Sequence, residues 1–185
     1  MRRDQFDHLI RAVGRVLDRT EIIVIGSQSI LGARADLDRF PEPLVQSTEV
    51  DFLPVPDPDE ALADRIDALL GELSPFHETH GVYAEGVGAN TATLPTGWKA
   101  RLIRYESGAT KGVAALCLEP HDLAVAKLIA GREHDYGFCR ALISSGLDAP
   151  DVIRERLAGT PDVGPVVRNR VTSWLEAQDS SSGPR

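Results

Sequence analysis

The sequence contains few cysteines and few aromatic residues. Only Cys117 and Cys139 occur in 185 residues, and Phe, Trp and Tyr make up 5% of the chain. Both cysteines lie in apolar stretches and lack the spacing of a metal site, so no cysteine-based metal centre is expected. A reducing cytoplasm is the simplest location for such a chain.

Long apolar runs and an excess of positive charge are also missing. We expect no signal peptide, no membrane-crossing span and no membrane partner, which favours a cytoplasmic protein. The net charge is −8, from 20 Lys and Arg against 28 Asp and Glu. A chain of this charge has no general basic surface for nucleic acid, so any RNA contact must use local arginines.

The remaining composition is that of an ordinary globular protein, with 42% hydrophobic and 26% charged residues. A chain of this length can bury a core without metal or disulfide support. We predict a core over residues 1–118, a helical C-terminal part over 119–178 and a disordered tail over 179–185.

A buried strand is predicted at Ile22-Ile23-Val24-Ile25, where four aliphatic residues precede Gly26-Ser27. Ser27 is expected to cap a helix running to Arg34, whose first N–H groups could hold the phosphates of a nucleotide. The alternative is that Gly26-Ser27 is a plain turn between a strand and a helix.

A second strand is predicted at Glu49-Val50-Asp51-Phe52-Leu53, which alternates acidic and apolar residues. A strand points Glu49 and Asp51 to one face and buries Val50 and Phe52 on the other. The two carboxylates repel each other, and a hard divalent cation such as Mg2+ between them would relieve that repulsion.

A helix is predicted from Pro120 to Gly131, with apolar residues around most of its circumference. Lys127 within it is costly unless its ammonium reaches a carboxylate or an anion, although it could also extend to solvent. Asp122 or Asp135 could hold Lys127 or Arg132, because paired charges tolerate partial burial.

Other segments support this core. Helices are predicted near residues 6–17, over a stripe from Ala61 to Leu73, and at 136–146, 150–157 and 163–178, the last with Val166 turned inward. Edge strands are predicted at 82–83 and 91–94, and further strands at 98–106 and 112–118. His77 and His80 lack a third ligand and are interpreted as surface or hydrogen-bonded histidines.

These motifs together resemble those of the polymerase-β-like nucleotidyltransferase superfamily. The Gly26-Ser27 turn, the Glu49-to-Leu53 strand and the run from Leu118 to Asp135 are similar to its small bacterial branch, which includes AbiEii-type and MenT-type toxins of toxin-antitoxin systems. The resemblance implies an α/β (α+β) fold, with a mixed sheet flanked by helices and a small helical C-terminal part.

The resemblance also implies an activity. A nucleoside triphosphate would bind at Gly26, Ser27, Lys127 and Arg132, Glu49 and Asp51 would hold Mg2+, and Glu49, Asp51 and Lys127 would be catalytic. A third carboxylate is expected from a later strand, with Glu85, Glu106 and Glu119 as candidates. The acceptor would be a tRNA 3′ end or, second, a protein hydroxyl, and an antitoxin could be a partner. The alternative is a non-catalytic relative that binds a nucleotide or a partner, such as an antitoxin-side component.

Overall fold

The chain divides into two compact units. A computed structural model of the protein describes residues 1–181, with side chains to residue 178. The first unit comprises Met1–Thr91 and Arg101–Glu119, and the second comprises Ala92–Ala100 and the described part of Pro120–Arg185. No helix within these described residues has both the length and the hydropathy needed to cross a bilayer.

The first unit is built around a mixed β-sheet. Its strands are β1 (Glu21–Ile25), β2 (Glu49–Leu53), β3 (Tyr83–Gly86), β4 (Ile103–Tyr105) and β5 (Ala114–Cys117). They lie in the order β3-β2-β1-β5-β4. The pairs β1–β5 and β2–β3 are parallel, whereas β1–β2 and β4–β5 are antiparallel. The predicted fold class, a mixed sheet flanked by helices with a helical C-terminal part, is confirmed.

One face of this sheet is buried under helices of the same unit. The helices of this unit are α1 (Arg3–Leu17), α2 (Ser29–Ala33), α3 (Glu42–Val45), α4 (Ala61–Leu70) and α5 (Pro75–His80). A Cβ on Gly32 of α2 would meet Cys117, and one on Gly86 of β3 would meet the α4 backbone, so both helices pack on this face. Val24, Phe52 and Ala84 are fully buried there.

The opposite face carries the other residue of each alternating pair. The register places Asp51 beside Ile25 on one side and beside Glu85 on the other. Residues paired across neighbouring strands point to the same face. Glu49, Asp51, Tyr83 and Glu85 therefore share one face, which we call the acid face.

The second unit is helical. Its helices are α6 (Pro120–Ala130), α7 (Glu133–Ser144), α8 (Pro150–Ala158) and α9 (Pro165–Ser181). The predicted helices at these places are confirmed, although α7 runs from Glu133 to Ser144 rather than over 136–146 and α9 begins two residues later than predicted. Val166 is 82% exposed, so its predicted inward position is wrong. The predicted disordered tail over 179–185 is wrong for residues 179–181, which form the end of α9. Residues 182–185 of that tail lie outside the described residues.

The start of α2 differs from the prediction. The helix begins at Ser29, and Ser27 lies in the turn before it, so Ser27 is not the cap. The N-cap position is occupied by Gln28, whose side chain makes no capping bond. The Ser29 hydroxyl instead donates to the carbonyl oxygen of Gly26 at 2.8 Å, which closes the turn locally.

The predicted buried stripe of α4 is partly wrong. Ile66 and Leu70 are buried, but Leu69 is 50% exposed and Leu73 is 80% exposed. Leu73 follows the helix with a left-handed backbone (φ +62°), so the helical period no longer applies to it. At the other end, the Asp57 carboxylate accepts hydrogen bonds from the N–H groups of Leu62 and Ala63 and stabilises the first turn.

Three strand predictions change in extent. The strand near residue 82 is longer than predicted and runs through Glu85, whereas no strand forms at residues 91–94. The segment predicted as a strand over 98–106 begins with a 3₁₀ helix, Trp98–Arg101, and only Ile103–Tyr105 is extended. The strand within 112–118 is confirmed as β5.

Candidate carboxylate site

Three carboxylates meet on the acid face. Glu49, Asp51 and Glu85 each offer an oxygen, and these oxygens lie within 4.8 Å of one another. Glu49 and Asp51 are successive acid-face positions of β2, and the parallel register of β3 brings Glu85 beside Asp51. Two neighbouring strands thus supply three acids to one small volume.

The turn after β1 closes directly against this cluster. Gly26 has φ +67°, and a Cβ added to it would lie 1.5 Å from the Asp51 carboxylate oxygen Oδ2. Both the left-handed backbone and the close approach require glycine at this position. The Gly26-Ser27 turn and the Asp51 carboxylate, which were predicted to share one site, therefore lie directly against each other.

Tyr83 is a polar neighbour of the cluster that the sequence analysis did not identify as functional. It lies opposite Glu49 in the β2–β3 register, and its hydroxyl donates to the Glu49 oxygen Oε2 at 2.8 Å. The signal that could have found it is the alternation Tyr83-Ala84-Glu85, which repeats the polar-apolar-acidic pattern of β2.

The electrostatics of the site are those of crowded acids. Burial raises the pKa of Glu85, and the charges of Glu49 and Asp67 raise it further, while a hydrogen bond with Asp51 opposes them. Burial and the hydrogen bond to Glu49 also raise the pKa of Tyr83, so its hydroxyl stays protonated and remains a donor. The carboxylates repel one another, and a cation bound among them would relieve that repulsion.

The donor set fits a hard divalent cation. Mg2+ and Ca2+ take carboxylate oxygens at about 2.0–2.6 Å, so oxygens that share one such ion lie within about 5 Å of one another. The three oxygens here satisfy that limit. The cluster contains no sulfur or imidazole ligand, which makes it unlike a zinc site.

The other two candidates for the third carboxylate lie elsewhere in the first unit. Glu106 follows β4 and forms an ion pair with Arg104 at 2.8 Å. Glu119 follows β5 and is not a member of the cluster. Of the three candidates, the structure brings only Glu85 to Glu49 and Asp51.

Lys127 lies in the second unit, where it is paired. Its Nζ is 3.0 Å from Asp135 Oδ1 and 4.6 Å from the centre of the Phe138 ring. The Lys127 side chain is 12% exposed and that of Asp135 is 3% exposed. The predicted support by Asp135 is therefore present, and Asp135 Oδ2 also accepts from the Arg132 N–H at 3.3 Å.

Asp122, the other acid proposed to hold Lys127 or Arg132, lies on the first turn of α6. It is fully buried in α6, and its Oδ1 lies 3.8 Å from Nε of Arg156 in α8. This pair joins two helices of the second unit. Asp135 is thus seen paired with Lys127, and support by Asp122 stays a prediction.

A groove, which we call the apolar groove, lies at the start of β1 and the end of β2, and part of its lining is on the acid face. Its volume is about 290 Å³, and its lining includes Ile23, Leu53 and Leu116 of the acid face together with Leu17, Arg19, Glu21 and Ile22. Ile23 and Leu53 are register partners and lie two residues along their strands from the Ile25–Asp51 pair. This step corresponds to about 7 Å.

Comparison with known families identifies the family of the chain. The family DUF6036, described as a nucleotidyltransferase of unknown function, matches residues 4–158. The chain belongs to this family. No curated protein and no solved structure matches the chain. The resemblance to nucleotidyltransferases is thus confirmed at the level of the family, and the toxin branch stays a prediction.

Proposed function

We propose that the protein is a metal-dependent nucleotidyltransferase that moves a nucleoside monophosphate from a nucleoside triphosphate to an acceptor hydroxyl. The observation that supports this best is the meeting of Glu49, Asp51 and Glu85 beside the Gly26 turn in a chain of a nucleotidyltransferase family. In this reaction the acceptor hydroxyl gives up its proton to water, and its oxygen bonds to the α-phosphorus. The bond from that phosphorus to the oxygen bridging the α- and β-phosphates breaks, and pyrophosphate leaves.

Glu49, Asp51 and Glu85 would hold the metal, which we propose to be Mg2+. A bound Mg2+ would neutralise charge on the phosphates and lower the pKa of a coordinated hydroxyl. The three acids fix where that charge is placed, because two strands of one sheet carry them. Their predicted catalytic role thus extends from the pair Glu49 and Asp51 to include Glu85.

Gly26 and Ser27 are proposed to receive the triphosphate. The absence of a side chain at Gly26 leaves room for the Asp51 carboxylate, and Ser27 is half-buried in the turn that follows. Backbone N–H groups of such turns are suited to phosphate oxygens. The short helix α2 adds little dipole, so the turn itself is the proposed binding element.

Lys127 and Arg132 remain our proposed nucleotide-binding residues of the second unit. The support is chemical, because a lysine held by Asp135 and by an aromatic ring presents its ammonium in a fixed orientation. We expect Lys127→Met to raise the KM for the triphosphate, whereas metal binding to the carboxylates stays unchanged.

The acceptor is proposed to lie over the apolar groove. Phosphoryl transfer places the attacking and leaving oxygens roughly in line. If the leaving phosphates lie at Gly26-Ser27, beyond the end of β1, the hydroxyl approaches from the direction of Ile23 and Leu53. A tRNA 3′ end is our first proposal for this acceptor, by resemblance to the toxin branch, and a protein hydroxyl is the second.

The experiment is a transfer assay with each α-labelled nucleoside triphosphate, Mg2+ and either total tRNA or a protein extract. We expect label on one acceptor class, loss of transfer in Asp51→Asn and Glu85→Gln, and near-normal transfer in Glu106→Gln. The last variant removes an acid of the same unit that lies outside the cluster. Ile23→Trp should fill the groove and lower transfer without changing metal binding.

Several outcomes would contradict the proposal. Equal loss in Glu85→Gln and Glu106→Gln would argue against Glu85 as the third acid. Absence of transfer with every triphosphate and acceptor, together with nucleotide binding, would favour the non-catalytic relative. Label on protein with none on tRNA would select the second acceptor and remove the support for a tRNA-directed toxin.

A further inference from the structure

The Glu49 carboxylate needs more restraint than the Asp51 carboxylate to stay in one position. A glutamate has one more rotatable bond than an aspartate, so its carboxylate samples more positions before a ligand binds. Both Glu49 and Asp51 are half-buried on the acid face. Asp51 is confined by the Gly26 turn, which its Oδ2 approaches closely. The corresponding restraint on Glu49 comes from the neighbouring strand.

That restraint is the Tyr83 hydroxyl. It donates to Glu49 Oε2 at 2.8 Å, in the direct cross-strand position of a parallel pair. A carboxylate offers about four acceptor positions on two oxygens. The phenol occupies one position on Oε2 and leaves Oε1 for a metal or for another donor.

The Tyr83 ring is itself held from the other side. The His77 ring lies 4.8 Å from it at an angle of 48°. His77 is fixed in turn by two hydrogen bonds. Its ring Nδ1 accepts from the Leu73 N–H at 3.0 Å, and its backbone N–H donates to the hydroxyl of Ser74, the N-cap of α5. A helix cap, an imidazole and a phenol thus form a continuous series of contacts that ends at Glu49.

We propose that Tyr83 is a positioning residue that orients Glu49 for the divalent cation, with His77 supporting the Tyr83 ring. This inference rests on the proposed function, because it assigns the cation site to the same carboxylates. Hydrogen bonds to metal-binding carboxylates commonly change metal affinity by about 10- to 100-fold when they are removed. Tyr83 touches neither the substrate nor the reacting atoms in this role.

The test uses Tyr83→Phe, which removes the hydroxyl and keeps the ring against His77. We expect the Kd for Mn2+, measured by calorimetry on the metal-free protein, to rise about tenfold. The metal concentration for half-maximal transfer should rise in parallel, while the rate at saturating metal recovers. A purely structural effect would lower the rate without this recovery.

Tyr105→Phe is the matched control. Tyr105 also donates to a carboxylate, Asp7, at 2.6 Å, but it lies on the helix-covered face of the same sheet. We expect this variant to change the stability of the protein and to leave the Kd for Mn2+ within twofold of the wild-type value. A similar loss of affinity in both variants would overturn the proposal.

Glu49→Asp provides a second, independent variant. The shorter acid retreats from Tyr83, so adding Tyr83→Phe to Glu49→Asp should change the Kd for Mn2+ little further. Fully additive effects would overturn the proposal. So would an unchanged Kd in Tyr83→Phe when Asp51→Asn abolishes binding, and in that case the proposed function stands. Wild-type protein that binds no Mn2+ would refute both the cation site and the role of Tyr83.

Discussion

At the scale of single residues, two separate features of position 26 require a glycine. Gly81 shares only one of these features. Gly26 has φ +67° and lies against Asp51, whereas Gly81 has φ +66° and open space around it. An L-residue in this conformation costs about 1–2 kcal/mol. The comparison of the two positions therefore separates backbone strain from displacement of the carboxylate.

We predict that Gly26→Ala and Gly81→Ala both lower the melting temperature, because both place a Cβ on a left-handed backbone. Only Gly26→Ala should also weaken Mn2+ binding, since its Cβ displaces Asp51. Thermal melts and Mn2+ titrations of the two variants test this. Equal Mn2+ affinities in the two variants would show that the close approach does not matter to the site.

The negative charge of Glu85 destabilises the folded protein when no metal is bound. Its pKa is raised on folding, first by burial and then by Glu49 and Asp67, so the charged form is favoured in the unfolded chain. Stability is therefore lost as the pH rises through its unfolded and then its folded pKa. At neutral pH the protein is therefore more stable with an uncharged residue at position 85.

We predict that Glu85→Gln raises the melting temperature of the metal-free protein at pH 7. The gain should be at most about 1 kcal/mol, or roughly 2–4 °C, since Glu85 is largely exposed. Glu106→Gln, which removes an acid already paired with Arg104, should give no such gain. A decrease in Glu85→Gln would mean that the acids do not destabilise one another.

At the scale of secondary-structure elements, one buried ion pair joins α6 to α7. Lys127 and Asp135 are both shielded from solvent, so removal of one partner leaves a largely buried charge without its nearest opposite charge. Such a loss costs about 3–5 kcal/mol. Asp135→Asn removes the charge but keeps an oxygen that can accept from the Arg132 N–H, so its effect reports on the charge alone.

We predict that Asp135→Asn and Lys127→Met each lower the free energy of unfolding, and that the double variant loses less than the sum. The difference should be about 1–3 kcal/mol. Urea unfolding followed by circular dichroism measures it. Additive losses would indicate that the two charges do not stabilise each other.

The elements also show what a single sequence can provide. The strands β1, β2 and β5 were predictable because each is a short apolar or alternating run, and α6 because its apolar residues recur with helical period. The extent of β3 was missed, because Gly81 and Gly86 interrupt the pattern on both sides of Glu85. Leu69 and Val166 match a helical stripe and are nevertheless exposed.

The site was predictable in part for a similar reason. Glu49 and Asp51 are neighbours on one strand, so alternation alone places them on one face. Glu85 and Tyr83 join them through parallel pairing across residues 54–82, and no local pattern encodes that register. From the sequence alone, Glu106 was as good a candidate for the third carboxylate as Glu85. The strand order places β4, which precedes Glu106, at the opposite edge of the sheet from β3.

At the scale of the whole molecule, a ligand that binds only the folded protein stabilises it by mass action. At about 100 times its Kd, a cation adds about 2.7 kcal/mol, which is roughly 5–10 °C for a chain of this size. The net charge of −8 attracts cations in general, so the increase must be compared with that of a variant lacking the site.

We predict that saturating Mn2+ raises the melting temperature of the wild-type protein by roughly this amount and that of Asp51→Asn by much less. Scanning calorimetry with and without the ion measures the difference. The same increase in both proteins would attribute the effect to the general negative charge.

The parallel pairing of β2 with β3 has a consequence for how the protein reaches its native state. Glu49 and Asp51 share a strand from the moment that strand forms, but Glu85 and Tyr83 reach them only after the intervening segment with α4 and α5 has folded back. Contacts between distant parts of a chain form late, because closing the loop between them costs entropy. High-affinity capture of a cation during refolding would therefore report the docking of β3 on β2, and the carboxylates would serve as a built-in probe of when that edge of the sheet has formed.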